Sequence, residues 1–417
     1  MEFFSEWQDD AVNAAPEERA TVAELRVIVG RQNVCQHLRG TKASNHVTLP
    51  LYSLAEGLAH DWWTLFGCRD RSLSLVRHRS GYAVPDIRLA FDGAAFEVSA
   101  HQLEYANPPV RFWAGYSEVM DRADAEAQLG AFVGVVLDRL AARGVARTSA
   151  ALRWARVEAS RYDPDEAVFC EAAGALGLDP YQIGDADAAV IERASGTFKG
   201  EPLTEFLAGA QTADRLKLLE WVEGVQARPP YQSRVPDLAV AAERAAANTP
   251  VQPGQPSWSL GYRRARALRR VLGLGEERRF PRFRALAEAL GASTSYRAAP
   301  SVDGIGLLRS HGGGDAHLHL RKTSGAATSD LFTFTRGVAD VVCFPDVQAA
   351  PVNRLQDAHR QAAGRAFAAE FLAPINEVLS MHADGRDTTS IAGEFAVSLT
   401  VVERQLENAQ RIEAACG

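Results

Sequence analysis

His317 and His319, in the segment HLHL, stand two residues apart. On a strand this spacing turns both imidazoles to one side, an arrangement found in some metal sites. Asp340 and His359 are the residues that could complete a displaced site of this kind. The plainer expectation is a pair of strand histidines on a partly exposed face. Cys343 would need a nearby base and a lowered pKa to act as a nucleophile. Its setting, VVCF, is apolar, so a buried and inert thiol is expected. The stretch SHGGGDAH, Ser310 to His317, is glycine-rich but lacks the G-x-x-x-x-G-K-[ST] phosphate-loop pattern, and reads as a hairpin tip. The remaining feature is charge. Arg263, Arg264, Arg266, Arg269, Arg270, Arg278, Arg279, Arg282 and Arg284 are offset locally only by Glu276 and Glu277. Such a cluster could meet phosphates or an acidic partner surface; the alternative is a solvated helix face.

The elements that must position these residues can be read from periodicity and punctuation. LRVIV (Leu25–Val29) is a β-branched run. Leu49–Gly67 carries apolar residues at helical spacing, with Trp62 and Trp63 as core anchors. Asp86–Ala100 alternates on both sides of Asp92-Gly93, which predicts a β-hairpin, and VRFWAGY (Val110–Tyr116) adds a third strand. Asp124–Gly144 predicts an amphipathic helix stopped by a glycine. Residues 146–245 read as almost wholly helical. Within them, AAGALGLDPYQI has the cadence of a helix and turn from a helix-turn-helix. ANTPVQPGQPSW holds three prolines and a glycine and predicts a linker. A helix over Ser259–Gly275 follows, then FRALAEALGA as another. GIGLLRS and AHLHLRK pair as strands, and SDLFTFTRGVADVVCF returns to helix. Asn353–Met381 reads as one long Ala-rich helix interrupted at Pro374. IAGEFAVSLTVVERQLENA closes the chain with helix, turn and helix, its apolar positions packed as core.

Composition bounds the function. The chain has 417 residues, which predicts two or three domains. Its net charge of −7 argues against nucleic-acid binding over the whole surface, although a local basic patch is compatible with it. No run of about 18 apolar residues occurs, and the acidic N-terminus lacks the basic and apolar regions of a secretory signal. The five cysteines are far apart with no C-x-x-C, so neither a zinc knuckle nor a disulfide framework is expected. The cytoplasm is the expected compartment. High Ala and Arg with few Lys is the composition of a GC-rich bacterial genome.

Three segments, LFTFTRGVAD, QAAGRAFAAEFLAP and SIAGEFAVS, follow a predicted strand pair in register. In order, spacing and apolar framework they resemble the ImmA/IrrE metallopeptidase family, over about residues 258 to 413. That resemblance implies a zincin-like fold in which a helix bearing H-E-x-x-H binds zinc. Carried over position by position, the first ligand histidine falls on Arg336, the general-base glutamate on Gly337 and the second ligand histidine on Asp340. The acidic third ligand falls on or near Gln361. Arginine is cationic and repels a metal ion, glycine has no proton acceptor, and one aspartate cannot replace three ligands. Arg336 and Asp340, at i and i+4, could form an ion pair in the vacated site, faced by Gln361 and His359.

The expectation is therefore an α+β, predominantly helical chain. It comprises an N-terminal α+β module over 1–145, a helical middle over 146–245 and a linker over 246–257. A zincin-like, helical pseudo-peptidase domain with a small sheet fills 258–417. No catalytic residue, metal or cofactor is expected. The function it implies is that of a sensor or regulator whose degenerate cleft (Arg336, Gly337, Asp340, His359, Gln361) binds a peptide or protein partner. The resemblance adds a stress-response or phage-related setting. The alternative is a DNA-binding transcriptional regulator using the basic cluster from Arg263 to Arg284 with a helix-turn-helix-like segment. No membrane is involved in either reading.

Overall fold

The computed structural model describes residues 1–9, 14–69, 72–107, 109–113, 115–210, 214–251, 255–322 and 327–416, the last six without their side chains. The fold is α+β and predominantly helical, with several small antiparallel sheets. It divides into two compact units, Met1–Ala188 and Ala189–Gly417.

The first unit holds three four-stranded sheets and a buried helix. The β-branched run lies within the strand Val22–Val29, which pairs antiparallel with Glu2–Trp7, Gln32–Asn33 and Val47–Pro50. The predicted hairpin forms as Asp86–Phe91 against Phe96–His101, with Asp92 Oδ1 accepting from the amides of Ala94 and Ala95. VRFWAGY is split between two strands, Pro109–Phe112 and Tyr116–Met120, which belong to different sheets. The Tyr52–Gly67 helix carries Trp62 and Trp63 into the core. Trp62 meets Trp154 edge-on at 5.0 Å, and Trp63 Nε1 donates to the Tyr181 hydroxyl at 2.9 Å. A ring N–H that finds a partner is what allows a tryptophan to be buried without penalty. The AAGALGLDPYQI segment also belongs to this core, where Ala172, Ala173, Ala175 and Leu176 are buried.

The second unit is built on a four-stranded antiparallel sheet in the order Arg234–Val235, Asp315–Leu320, Ile305–Gly312, Ala349–Asn353. The two long strands are joined at Gly313 and Gly314, with φ of +63° and +85°. Two successive left-handed residues give the hairpin turn whose twist matches the strands, so the glycine-rich stretch is a hairpin tip as its composition predicts. Three helices pack together beside the sheet: Ser257–Val271, Ala327–Cys343 and His359–Leu372. The first and third cross so closely that a Cβ on Gly261 would lie 2.3 Å from the Ala363 carbonyl oxygen. The C-terminal helices Thr388–Phe395 and Leu399–Cys416 bury Ile391, Phe395, Val397 and Val402 in the same core. Their helix-turn-helix cadence is thus that of packed helices.

Three boundaries differ from the sequence expectation. The helical middle is not a body of its own. Ser149–Tyr162 and Pro164–Ala175 fall in the first unit, whereas Glu201–Gly209 and Pro236–Ala247 fall in the second. Leu238, Ala241, Ala242 and Ala245 join the core that the Ala327–Cys343 helix builds, so the proline-rich stretch is a connection inside one unit. Within that stretch, 252–254 lie outside the described residues. The long helix expected from Asn353 is a strand ending at Asn353 and a helix starting at His359, and Pro374 caps the next helix. Among the described residues, no helix is long and apolar enough to cross a membrane.

Candidate functional site

The Ala327–Cys343 helix packs against the sheet on one side and the His359–Leu372 helix on another. Gly337 faces the sheet. A Cβ there would lie 2.8 Å from both methyl carbons of Leu307 and 3.3 Å from one of Leu318. The position where the resemblance puts a general base is therefore packed against leucine side chains, which even a Cβ would have to displace.

Asp340, one turn further on, is 4% exposed and belongs to no surface. Its Oδ1 accepts from Arg360 Nη2 at 2.5 Å, and Arg309 Nη1 lies 3.7 Å from its other oxygen. Arg360 Nη1 donates in turn to Glu205 Oε2 at 3.0 Å. Gln361 Nε2 donates to the same oxygen at 2.7 Å and to the Pro351 carbonyl at 2.9 Å. Gln361 Oε1 accepts from Arg336 Nη2 at 2.6 Å and from the Asn353 amide at 3.1 Å. Arg336 Nη2 also reaches the Asn353 carbonyl at 2.9 Å, and Asn353 Nδ2 donates to the Glu205 carbonyl at 2.9 Å. The result is one hydrogen-bonded network through four elements.

This arrangement corrects the expected pairing of Arg336 with Asp340. The two residues do share a helix face, but each turns to a different partner. An exposed i,i+4 pair is worth only about 0.3–0.5 kcal/mol. A fully buried carboxylate gains far more from a charge-assisted bond to a guanidinium of the facing helix. Gln361 joins the network as expected. His359 sits at the start of its helix with its ring 5.8 Å from that of Phe344. Glu205, Arg309, Arg360 and Asn353 were not singled out from sequence. The one local signal for Glu205 is an acid set among apolar neighbours in EPLTEFLAGA, where Leu203 through Ala208 are all buried.

The other candidates resolve as follows. His317 and His319 do share a side, with ring centroids 6.3 Å apart, but they are buried, contrary to the partly exposed face expected. Ser233 Oγ lies 3.1 Å from His317 Nδ1, and Ser310 Oγ lies 3.2 Å from His319 Nε2. Burial pushes His319 down to about 4, so it is neutral near pH 7. Arg309 and Ser310 are successive strand residues and point to opposite faces, so Asp340 and the two histidines lie on opposite sides of the sheet. Among the described residues, no group of three or more His, Cys, Asp or Glu is placed to hold a metal ion. The residues present do not fit zinc at the positions the resemblance marks. Cys343 is buried, and burial pushes its thiol well above the usual range.

The basic cluster does not form one face. Arg264 and Arg269 are buried, and Arg269 donates to the Phe371 carbonyl. Arg266 pairs with Glu370 at 2.6 Å and Arg279 with Glu377 at 3.2 Å. Arg263 donates to Gln255 Oε1 and to the Pro250 carbonyl. Of the cluster, Arg266, Arg270, Arg278 and Arg282 are exposed.

Next to the network opens a cleft of about 170 Å³. Arg321, Arg336 and Arg354 line it together with Ser329, Thr333 and Asn353, and among the described residues no carboxylate lines it. Its floor includes Gly306, where the Ile305–Gly312 strand bulges. Bulges of this kind re-aim side chains at strand ends.

Burial shapes the charges. It raises the Glu205 carboxyl to about 7, with Arg360 opposing the rise. It lowers the Arg336 guanidinium to about 9, helped by repulsion from Arg365. A carboxyl whose pKa is raised on folding binds more protons folded than unfolded between about pH 4.5 and 7. Glu205 on its own should therefore lower stability by about 3 kcal/mol as pH rises through that window, while His319, held down at about 4, acts in the opposite sense. Urea denaturation of the full chain and of Glu205→Gln across this range isolates the carboxyl: the stability of the wild type relative to the variant should decline as pH rises. A difference between the two profiles that is flat or rises with pH would contradict the assignment.

Comparison of the chain with family models, curated proteins and solved structures finds no match.

Proposed function

We propose that the second unit is a non-catalytic binding module, a pseudo-peptidase whose cleft holds a peptide or protein partner without cutting it. The observation that carries this reading is the network. Arg336, Asp340 and Gln361 stand where the ImmA/IrrE resemblance puts zinc ligands, and all three are committed to bonds with the strand end, Arg360 and Glu205. A site so filled offers no metal-bound water and no general base. The open cleft alongside it supplies a surface for recognition. The regulatory setting, in stress response or phage-related control, is supplied by the resemblance.

The test is affinity capture from the native cell with the wild-type chain and with Arg336→Met. A partner retained by the first, lost by the second and still at full length after long incubation is the expected result. Cleavage of the partner would overturn the reading. So would capture of DNA that weakens steeply with salt, since phosphate binding carries that salt dependence.

A further inference from the structure

The network holds more guanidiniums than carboxyls. It contains three guanidiniums, on Arg309, Arg336 and Arg360, against the two carboxylates of Asp340 and Glu205. Arg309 and Arg360 both lie against Asp340, and Arg360 also reaches Glu205. Arg336 instead donates only to neutral oxygens, the Asn353 carbonyl and the Gln361 amide. Its Nε is buried with no acceptor. A cation drawn inside without a counter-ion is unfavourable by several kcal/mol, and an anion brought to it recovers part of that.

Arg336 is also the member of the network that lines the cleft. Ser329, Thr333 and Arg336 fall three and four residues apart on the same helix, so their side chains share the face that looks into it. Arg354, at the mouth, is exposed. Arg321 commits one nitrogen to the Val302 carbonyl at 2.6 Å. The space depends on Gly306, because a Cβ there would come within 2.8 Å of the Thr333 methyl. Hydroxyl and guanidinium donors therefore converge on a small volume that no carboxylate among the described residues lines.

We propose that this cleft is a subsite for an acidic peptide segment, one side-chain or terminal carboxylate of which becomes the counter-ion that Arg336 lacks. One guanidinium that bonds no carboxylate matches a carboxylate monoanion better than a phosphoryl dianion. The subsite rests on the binding-module reading and names the chemistry of its ligand. Arg336 supplies the half-buried anchor, Arg354 the steering charge at the rim, and Ser329 and Thr333 the neutral donors.

The experiment is fluorescence anisotropy of the full chain with a labelled oligoglutamate peptide and a labelled Gly-Ser peptide of equal length. The wild type should bind the first and not the second. Arg354→Glu, at an exposed position, should keep the wild-type melting curve and weaken binding about tenfold or more. Arg354→Ala should weaken it less. Equal affinity for the two peptides, or oligoglutamate binding unchanged in both variants, would overturn the proposal. Displacement of the peptide by inorganic phosphate far more readily than by chloride at matched ionic strength would overturn the carboxylate assignment. Failure here while a native partner is still captured uncut sinks the subsite alone; cleavage of that partner sinks the module reading whatever the peptide does.

Discussion

Asp340→Ala should destabilise the second unit by about 3–5 kcal/mol, the usual consequence of removing one member of a buried ion pair. The reason lies in what is left behind. Arg360 and Arg309 are buried, at 5% and 0% exposure, and Asp340 lies between them. Without it, Arg309 loses the carboxylate nearest it, and Arg360 is left bonded to Glu205, whose own carboxyl is raised to about 7. In a unit of this size each kcal/mol moves Tm by roughly 2–4 °C, so a fall on the order of 10 °C is expected. Calorimetry on the full chain measures it. Pairing the change with Arg360→Met should recover part of the loss, because the second substitution removes one stranded cation. An Asp340→Ala protein that melts with the wild type would mean that this carboxylate is not structural.

Gly337→Glu, which restores the residue type that the peptidase resemblance assigns there, should be at least as damaging. The substitution drives a carboxylate into the contact between helix and sheet, against Leu307 and Leu318, both fully buried. The leucines offer no donor, and Arg309 on the same sheet face is held beside Asp340, so the acid must either stay charged and poorly solvated or displace the strand. A loss above about 4 kcal/mol or failure to fold is the expected result. Gly337→Ala is the informative control. It gains about 1 kcal/mol of helix propensity but must push aside the tips of two packed leucines. Soluble, cooperatively folded Gly337→Glu protein would show that the interface has room that the geometry denies.

Much of the framework was legible in the sequence because it is encoded locally. The glycine pair at the hairpin tip, the alternation on both sides of Asp92-Gly93 and the apolar stripe of the Ala327–Cys343 helix each specify their own geometry. The site was legible only in part, for a physical reason. Spacing on one helix says that Arg336 and Asp340 share a face, but not which charges the neighbouring elements bring to it. Glu205 and Gln361 are 156 residues apart in sequence, and nothing local marks them as partners. The same limit applies to His317 and His319. Their period-two spacing gave the shared side, and only the packed structure shows that side to be buried. The proline-rich stretch shows the converse: its composition marks a loop but cannot say that the helices before and after it share one core.

Zinc content is the most direct measure of the central claim. The full chain, equilibrated with zinc, desalted and analysed for metal beside an Asp340→Asn variant, should carry no stoichiometric zinc in either form. Stoichiometric zinc in the wild type that disappears in the variant would mean that Asp340 is a ligand and not the counter-ion of Arg360, and the account would fail.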